Sequence, residues 1–262
     1  MQVFITAAHD AALQAGVLLK ENWLKTKQVE IKTDMVDLVT NVDKAADGLI
    51  TDMLRSRFPT HKIIAEESAR SGPDSPYCWY IDPLDGTTNF AHTYPHFAVS
   101  IALAYESKII VGVVHDPLRN ETFCASRNGG AYLNGNPIHV SSAAQLDQSL
   151  LLTGFPYDRR RRSAFYLGYY EAFMLRTHGV RRSGSAALDL CYVACGRADG
   201  FWEWRLHPWD TAAGSLLVEE AGGRTSDFSG VSFDLHGEQT LASNGHIHQA
   251  VLEILQQLAS DM

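Results

Sequence analysis

At 262 residues the chain has room for one large domain or two fused lobes, and 45% hydrophobic with 20% charged residues is the balance of a globular protein in water. A formal net charge of -8 argues against a general nucleic-acid binder, which needs a basic face, so no direct nucleic-acid partner is expected. The charge leaves an anionic substrate open, because bound divalent cations reverse the sign of a local site. The opening MQVFITAAHDAAL has no basic leader and breaks its apolar run at His9-Asp10, so it does not read as a signal peptide. The longest apolar run, FAVSIALAY, falls far short of the ~20 residues that span a bilayer. No membrane association and a reducing cytoplasm are the expectations. Cys78, Cys124, Cys191 and Cys195 show no CxxC spacing; Cys191 and Cys195, four apart, are expected to share a helix face as small buried residues.

In chain order, Val3, Phe4, Ala7, Ala8, Ala11 and Ala15 recur at helical spacing. A second helix is expected from Asn41, taken as its cap, presenting Val42, Ala46, Leu49, Ile50, Met53 and Leu54 until Pro59. Short strands follow at HKIIA and CWYID, then FAVSIALAY and IIVGVVHD as a hairpin across Glu106-Ser107-Lys108, and ETFCA as the next strand. RNGGAYLNGNP is turn chemistry on both sides of a short strand. Beyond it, SLLLTG reads as a buried strand, residues 160–178 as a helix, SAALDLCYVACG as a helix ending at Gly196, and GFWEW as a strand. Pro208 suits a first helical position, so HPWDTAAGSLLVEEAGG is a helix closed by Gly222-Gly223. TLASN as a strand and a helix near 246–260 complete the chain. The mixed order predicts layered sheets with helices between them and a lobe boundary near residue 145.

The chemistry concentrates in acids. In WYIDPLDGTTNF a strand ends at Asp82, Pro83 stiffens the turn, and Asp85 follows three residues later. Such a turn has two readings: an Asp-capped turn before a helix, or a pair of carboxylates aimed at Mg²⁺ or Mn²⁺. Gly86 permits close backbone approach to a ligand, and Thr87 either orients a water or caps the helix. Glu66 and Glu67 follow a strand, where burial without a cation is expensive and a solvated loop is the plain alternative. Asp43 and Asp210 each fall in a first helical turn, where the helix dipole alone accounts for an aspartate. Spacing does not say whether these acids converge.

WYIDPLDGTTNF, together with AEES, VDLVTNVD, GSAALDL and HPWDTAAG, resembles the inositol monophosphatase family, a branch of the Mg²⁺-dependent, lithium-sensitive phosphatases, in its bacterial form. The match runs from Lys32 to Gly223 with the motifs in the family's order. It implies an α+β fold, a layered αβαβα sandwich of the inositol monophosphatase and fructose-1,6-bisphosphatase type. One phosphatase unit would comprise two lobes: residues 1–145 with the main metal-binding motif, and residues 146–262 with GSAALDL and WDTAAG. By resemblance Glu66 (not Glu67), Asp82, the carbonyl of Leu84, Asp85 and Asp210 are metal ligands for two or three Mg²⁺ ions, with Mn²⁺ as a substitute. Asp43 and Thr87, assisted by Glu66, match the catalytic group that positions and deprotonates the attacking water. Asp85, Gly86, Thr87, Ala186 and Asp210 are implied substrate contacts, and Glu203 the acceptor for polyol hydroxyls. Lys32 lies in a loop that completes the metal site. Ala65 stands where a glycine is often found, and the loop from Glu67 to Asp82 is short; neither change touches a ligand.

The implied activity is hydrolysis of a phosphate monoester, inositol 1-phosphate first, by a metal-activated water attacking in line. The same metal core serves fructose-1,6-bisphosphatases, 3',5'-bisphosphate nucleotidases and histidinol-phosphatases. Trp202 and Trp204 leave a nucleobase stack open, although strand alternation is expected to place one of them, Trp202, in the core. YDRRRRSAF is the basic cluster, read either as a solvated helix start or as a site for a second phosphate or an acidic protein; Arg181 and Arg182 are candidates for a dimer interface or the substrate rim. A different class of function, a regulatory protein-binding role on the phosphatase fold, would draw on the arginine stretch. The resemblance further implies a homodimer.

Overall fold

The computed structural model describes residues 1–25, 27–31, 38–68 and 72–261. Helix α1 (Gln2–Asn22) buries an alanine stripe, Ala7, Ala8, Ala11, Ala12 and Ala15, that lets it lie close against the sheet beneath. At Gly16 the approach is so close that an added methyl would overlap the His115 ring. Strands β1 (Val29–Ile31) and β2 (Leu38–Thr40) pair antiparallel and lead into α2 (Asn41–Arg57). The cap of α2 is Thr40, one residue earlier than expected: its hydroxyl accepts from the N–H groups of Val42 at 3.1 Å and Asp43 at 3.4 Å. Asn41 is engaged elsewhere, accepting from the Gln28 N–H at 3.1 Å.

Next come β3 (Lys62–Ala65), β4 (Tyr77–Asp85), the short α3 (Thr87–Ala91), β5 (Ala98–Tyr105), β6 (Lys108–Asp116), β7 (Glu121–Ser126), β8 (Gly130–Leu133) and β9 (Asn136–Pro137). The strands form one seven-stranded sheet in the order β3-β4-β5-β6-β7-β8-β9. The expected hairpin is β5–β6, and its turn is the two residues Glu106 and Ser107, with φ of 47° and 67°, the positive pair that a type I′ hairpin turn needs. Lys108 already belongs to β6.

The remaining elements are β10 (Leu150–Thr153), α4 (Ser163–Met174), β11 (Gly179–Arg181), α5 (Ala186–Ala194), β12 (Gly200–Trp204), α6 (Pro208–Glu220), β13 (Arg224–Ser226), β14 (Gln239–Ser243) and α7 (His248–Asp261). Their strands form a five-stranded sheet, β11-β10-β12-β14-β13, in which β10 runs parallel to both neighbours. The helix expected over 160–178 is shorter: Tyr157–Arg160 is a separate 3₁₀ turn. At the other end the Thr177 hydroxyl takes the Phe173 carbonyl at 2.8 Å, closing α4 early.

Three hydrophobic layers join these elements into an αβαβα sandwich. One lies between α1, α2 and the seven-stranded sheet, around Trp79, Ile81, Phe90 and Phe97. A second fills the space between the two sheets, with α5 and α6 inside it. The small residues of TAAG serve this packing: the Ala213 backbone lies so near Gly112 of β6 that a Cβ there would stand 2.7 Å from its carbonyl oxygen. The third layer packs α4 and α7 on the outer face of the five-stranded sheet and holds both Trp202 and Trp204. The expectation that only one tryptophan is core fails for a simple reason. Residues two apart in a strand share a face, so Trp202 packs on Phe173 and Trp204 among Tyr169 and Phe228, both in this outer layer. Glu203, between them, faces the inter-sheet layer. All four cysteines are free, and burial pushes the thiols of Cys124, to about 12, and of Cys191 and Cys195 upward, as expected of packing residues.

Candidate active site

In an unbroken strand, residues three apart point to opposite faces, so Asp82 and Asp85 would diverge. They do not, because β4 carries an extra residue between them. Asp82 pairs with Ser100 while Asp85 pairs with Ala98, three steps on β4 against two on β5. The bulge returns both carboxylates to one side, and Pro83, which has no N–H to give a ladder, is tolerated at such a break. Asp82 Oδ1 accepts from the Leu84 N–H at 2.9 Å and closes the bulge on itself.

Each carboxylate is gripped by a different element. Asp85 Oδ2 accepts from the Ser185 hydroxyl at 2.5 Å and the Ala187 N–H at 2.8 Å, and the Ala186 backbone adds a further bond. Ser185 also caps α5, accepting from the Leu188 N–H at 3.3 Å, so the start of GSAALDL is built around Asp85. Asp210 sits at the third position of α6 behind Pro208 and accepts from the His207 N–H at 2.7 Å. Its charge also acts on Asp82. Asp43 uses Oδ2 for the capping box, accepting from the Thr40 N–H at 3.0 Å, and turns Oδ1 toward Thr87 at 3.0 Å. The Thr87 hydroxyl lies 3.1 Å from the Leu84 carbonyl as well, so its one proton serves either acceptor. Gly86, at φ 95°, sits where a Cβ would meet the His96 carbonyl at 3.0 Å; glycine is required both by conformation and by space.

Glu66 stands at the end of β3, and its charge reaches Asp43, Asp82, Asp85 and Asp210 alike. Burial raises Asp82 well above the usual carboxylate range, with Glu66, Asp85 and Asp210 adding to it. Asp210 rises likewise, through burial and then Glu66 and Asp85. Asp85 is pushed up to about 6 by burial, partly offset by the bonds from Ser185 and Ala187. Asp43 also reaches about 6 by burial, against the hydrogen bonds of Thr40 and Thr87. Among the described residues no three His, Cys, Asp or Glu side chains already stand at the spacing a metal ion holds. The donor chemistry nevertheless fits Mg²⁺ or Mn²⁺: all oxygen, mostly anionic, mutually repelling, and without cysteine or histidine in the set.

Glu203 lies at the edge of this constellation. Burial raises it strongly, Asp189 adds repulsion, and Arg182 partly offsets both. Ala186 is the first residue of α5, beside Asp85. Lys32 lies outside the described residues. The arginine stretch is apart from the acids: Arg162 stacks 4.2 Å over Phe165, and Asp158 accepts from Tyr166 at 2.7 Å and Arg205 at 2.8 Å. A groove of about 700 Å³ opens there, lined by Arg162, Phe165, Tyr169 and Trp204 and by none of the clustered carboxylates.

Of the buried acids that escape sequence reading, two border this site. Asp47 of α2 accepts from the Glu67 N–H at 3.1 Å, the Ser68 hydroxyl at 3.0 Å and the Thr51 hydroxyl at 3.0 Å, bracing the loop that carries Glu66. Its signal was available: it occupies the buried stripe of α2 between Ala46 and Ile50, where an acid needs partners. Asp189, on the buried face of α5, accepts from the Ser183 hydroxyl, and burial raises it well above the ordinary range.

Residues 1–260 match the inositol monophosphatase family. Over 259 residues the chain is 48% identical to an inositol-1-monophosphatase of Synechocystis sp., covering 97% of this chain and 89% of that protein. A protein of Escherichia coli K12 named Nus factor SuhB is 45% identical over 263 residues, covering 100% and 98%. The solved structure of an inositol monophosphatase from Anabaena superposes with a TM-score of 0.89 at 42% identity, covering 98% of this chain and 96% of that one.

Proposed function

The chain belongs to the inositol monophosphatase family and is a phosphatase, and from that premise we propose that it hydrolyses inositol 1-phosphate with Mg²⁺ as cofactor. The observation that carries the reading is the electrostatic convergence of Glu66, Asp82, Asp85 and Asp210, from two strand ends and a helix start, on one small volume. These four, with the Leu84 carbonyl, would hold two or three ions, Mn²⁺ serving as a substitute. Bound there, the ions supply charge neutralisation and Lewis-acid polarisation at the phosphoryl and leaving oxygens.

The protein's own groups do the rest. Thr87 and Asp43, 3.0 Å apart, form a hydroxyl–carboxylate pair that orients the attacking water and takes its proton, assisted by Glu66, whose charge acts on Asp43. Asp43, near 6, is ionised at neutral pH and able to accept that proton. Water oxygen bonds to phosphorus, the ester bond breaks in line, and the freed polyol oxygen takes a proton from solvent. The backbone of Gly86 and Thr87 faces the phosphate, Asp85 and Asp210 border it, and Ala186 and Glu203 meet the polyol. Lys32 would complete the metal site. The same proposal includes two lobes, 1–145 and 146–262, a homodimer, lithium sensitivity and a cytoplasmic location.

A second reading is a protein-binding role beside hydrolysis, favoured by the 45% identity to a protein named a Nus factor. Arg159 to Arg162, apart from the acids, is the surface where it would be sought.

Phosphate release from inositol 1-phosphate, fructose 1,6-bisphosphate, adenosine 3',5'-bisphosphate and histidinol phosphate, with and without Mg²⁺, tests the main reading. The expected result is Mg²⁺-dependent release, fastest from inositol 1-phosphate. No Mg²⁺-dependent release from any of them would sink it.

A further inference from the structure

Glu203 keeps its place only because the residue beside it has no side chain. In the five-stranded sheet Thr153 pairs with Trp202 in parallel register, so Gly154 lies next to Glu203 as the two chains advance. A Cβ built on Gly154 would fall on the Glu203 carboxylate, overlapping its carbon and both oxygens. The carboxylate therefore lies folded over the Gly154 backbone, in the volume that any other amino acid would fill.

Gly154 is not in the left-handed region, so its backbone does not call for glycine. The demand is for space alone. Nor would the backbone yield: the Thr153 hydroxyl donates to the Trp202 carbonyl at 2.7 Å and clamps β10 to β12 at this point. On its other flank Glu203 pairs with buried Thr240. Its neighbours Trp202 and Trp204 are locked in the core on the opposite face. The part that can give way is the end of the Glu203 side chain, the flexible end that the methyl would meet. A methyl at position 154 would thus leave the fold intact and displace the carboxylate.

We infer that Gly154 is a positioning residue for substrate specificity: by leaving a berth for the Glu203 carboxylate, it sets where the site accepts hydrogen bonds from the hydroxyls of a polyol phosphate. This rests on the proposed role of Glu203 as the polyol acceptor. Gly154 touches no substrate itself; it acts through Glu203. A site with a larger residue here would keep the metal-binding acids and lose the fixed acceptor, favouring esters with fewer hydroxyls.

The test is the pair of variants Gly154→Ala and Glu203→Ala, with their double mutant, assayed with Mg²⁺ on inositol 1-phosphate and on p-nitrophenyl phosphate, which has no polyol hydroxyls. Gly154→Ala is expected to raise KM for inositol 1-phosphate at least fivefold, with a smaller change in kcat and a rise at least fivefold smaller for p-nitrophenyl phosphate. In the Glu203→Ala background the same substitution should add less than twofold, because no carboxylate remains to displace. Equal KM changes on both esters, or a full additive effect in the double mutant, would overturn the inference. A crystal structure of Gly154→Ala reads the displacement regardless of substrate: a carboxylate in its wild-type place also overturns it. Failure of the wild type to release phosphate from inositol 1-phosphate is a separate result, counting against the proposed substrate.

Discussion

Asp43 divides its two oxygens between two elements: Oδ2 closes the capping box of α2, and Oδ1 faces Thr87. Asp43→Asn keeps an acceptor for one of these duties and, on the proposed mechanism, loses the base. Turnover should fall by roughly 10²-fold or more, while loss of one capping bond costs about 1 kcal/mol in urea unfolding. The wild-type rate should climb with pH on an acidic limb at or below about 6, the range to which burial raises Asp43, and the variant should lose that limb. A variant with wild-type turnover would return Asp43 to its capping duty alone. Asp85 presents the complementary case. Asp85→Asn retains an oxygen for Ser185 and Ala187 and removes one charge from a repelling cluster, so the fold should persist with undiminished thermal stability while Mg²⁺-dependent turnover disappears. If the variant does not fold with Mg²⁺ present, the turn was chiefly structural. At this scale sequence reading named the acids but had no means of bringing them together: Asp43 and Asp210 both do sit in the first turn of their helices, so the plain explanation of each was true as far as it went.

Among the elements, the bulge in β4 is what converts a three-residue spacing into a same-face pair. It was legible only as a proline between two acids; the shift in register depends on where β5 pairs. Long, alternating or capped segments were found readily, including the β5–β6 hairpin and the α6 start at Pro208, because each carries a local cause. The three-residue strands β1, β2, β11 and β13 were not, since three residues are too few to show a period and their pairing partners supply the reason for their shape. Asp47 shows how one element steadies another, joining α2 to the loop after β3 through two bonds, from the Glu67 N–H and the Ser68 hydroxyl, while Thr51 holds it within α2. Asp47→Ala leaves those donors without their acceptor and should cost ~1–3 kcal/mol in denaturant unfolding. It should also raise the Mg²⁺ concentration for half-maximal activity severalfold, as Glu66 loses its brace. An unchanged Mg²⁺ requirement would confine Asp47 to stability.

For the whole molecule, the site is a place where layers meet, and its charge sets the stability of the sandwich. Asp82, Asp85 and Asp210 have folded pKa values raised above those of an unfolded chain. The folded state without metal therefore binds more protons than the unfolded one; the stability these groups contribute is present below pH ~4 and is lost as pH rises through their folded values. His96 and His248 act in the opposite sense. Burial lowers both to about 4, so their contribution is full above pH ~6.5 and drains away as pH falls toward 4. On the proposed reading Mg²⁺ competes with protons for the carboxylates and leaves the histidines alone. Its stabilisation should accordingly grow with pH: little at pH 5, where the carboxylates still hold protons, and larger at pH 8. At a Mg²⁺ concentration ~100 times its Kd the gain is about 2.7 kcal/mol, which for a chain of this length is a Tm rise of about 5 °C. Thermal melts with EDTA and with Mg²⁺ at the two pH values measure it. A Tm rise equal at both would mean that the ions bind somewhere other than these carboxylates; a rise confined to pH 8 that disappears in Asp82→Asn would locate the stabilisation at the meeting of β4 and α6.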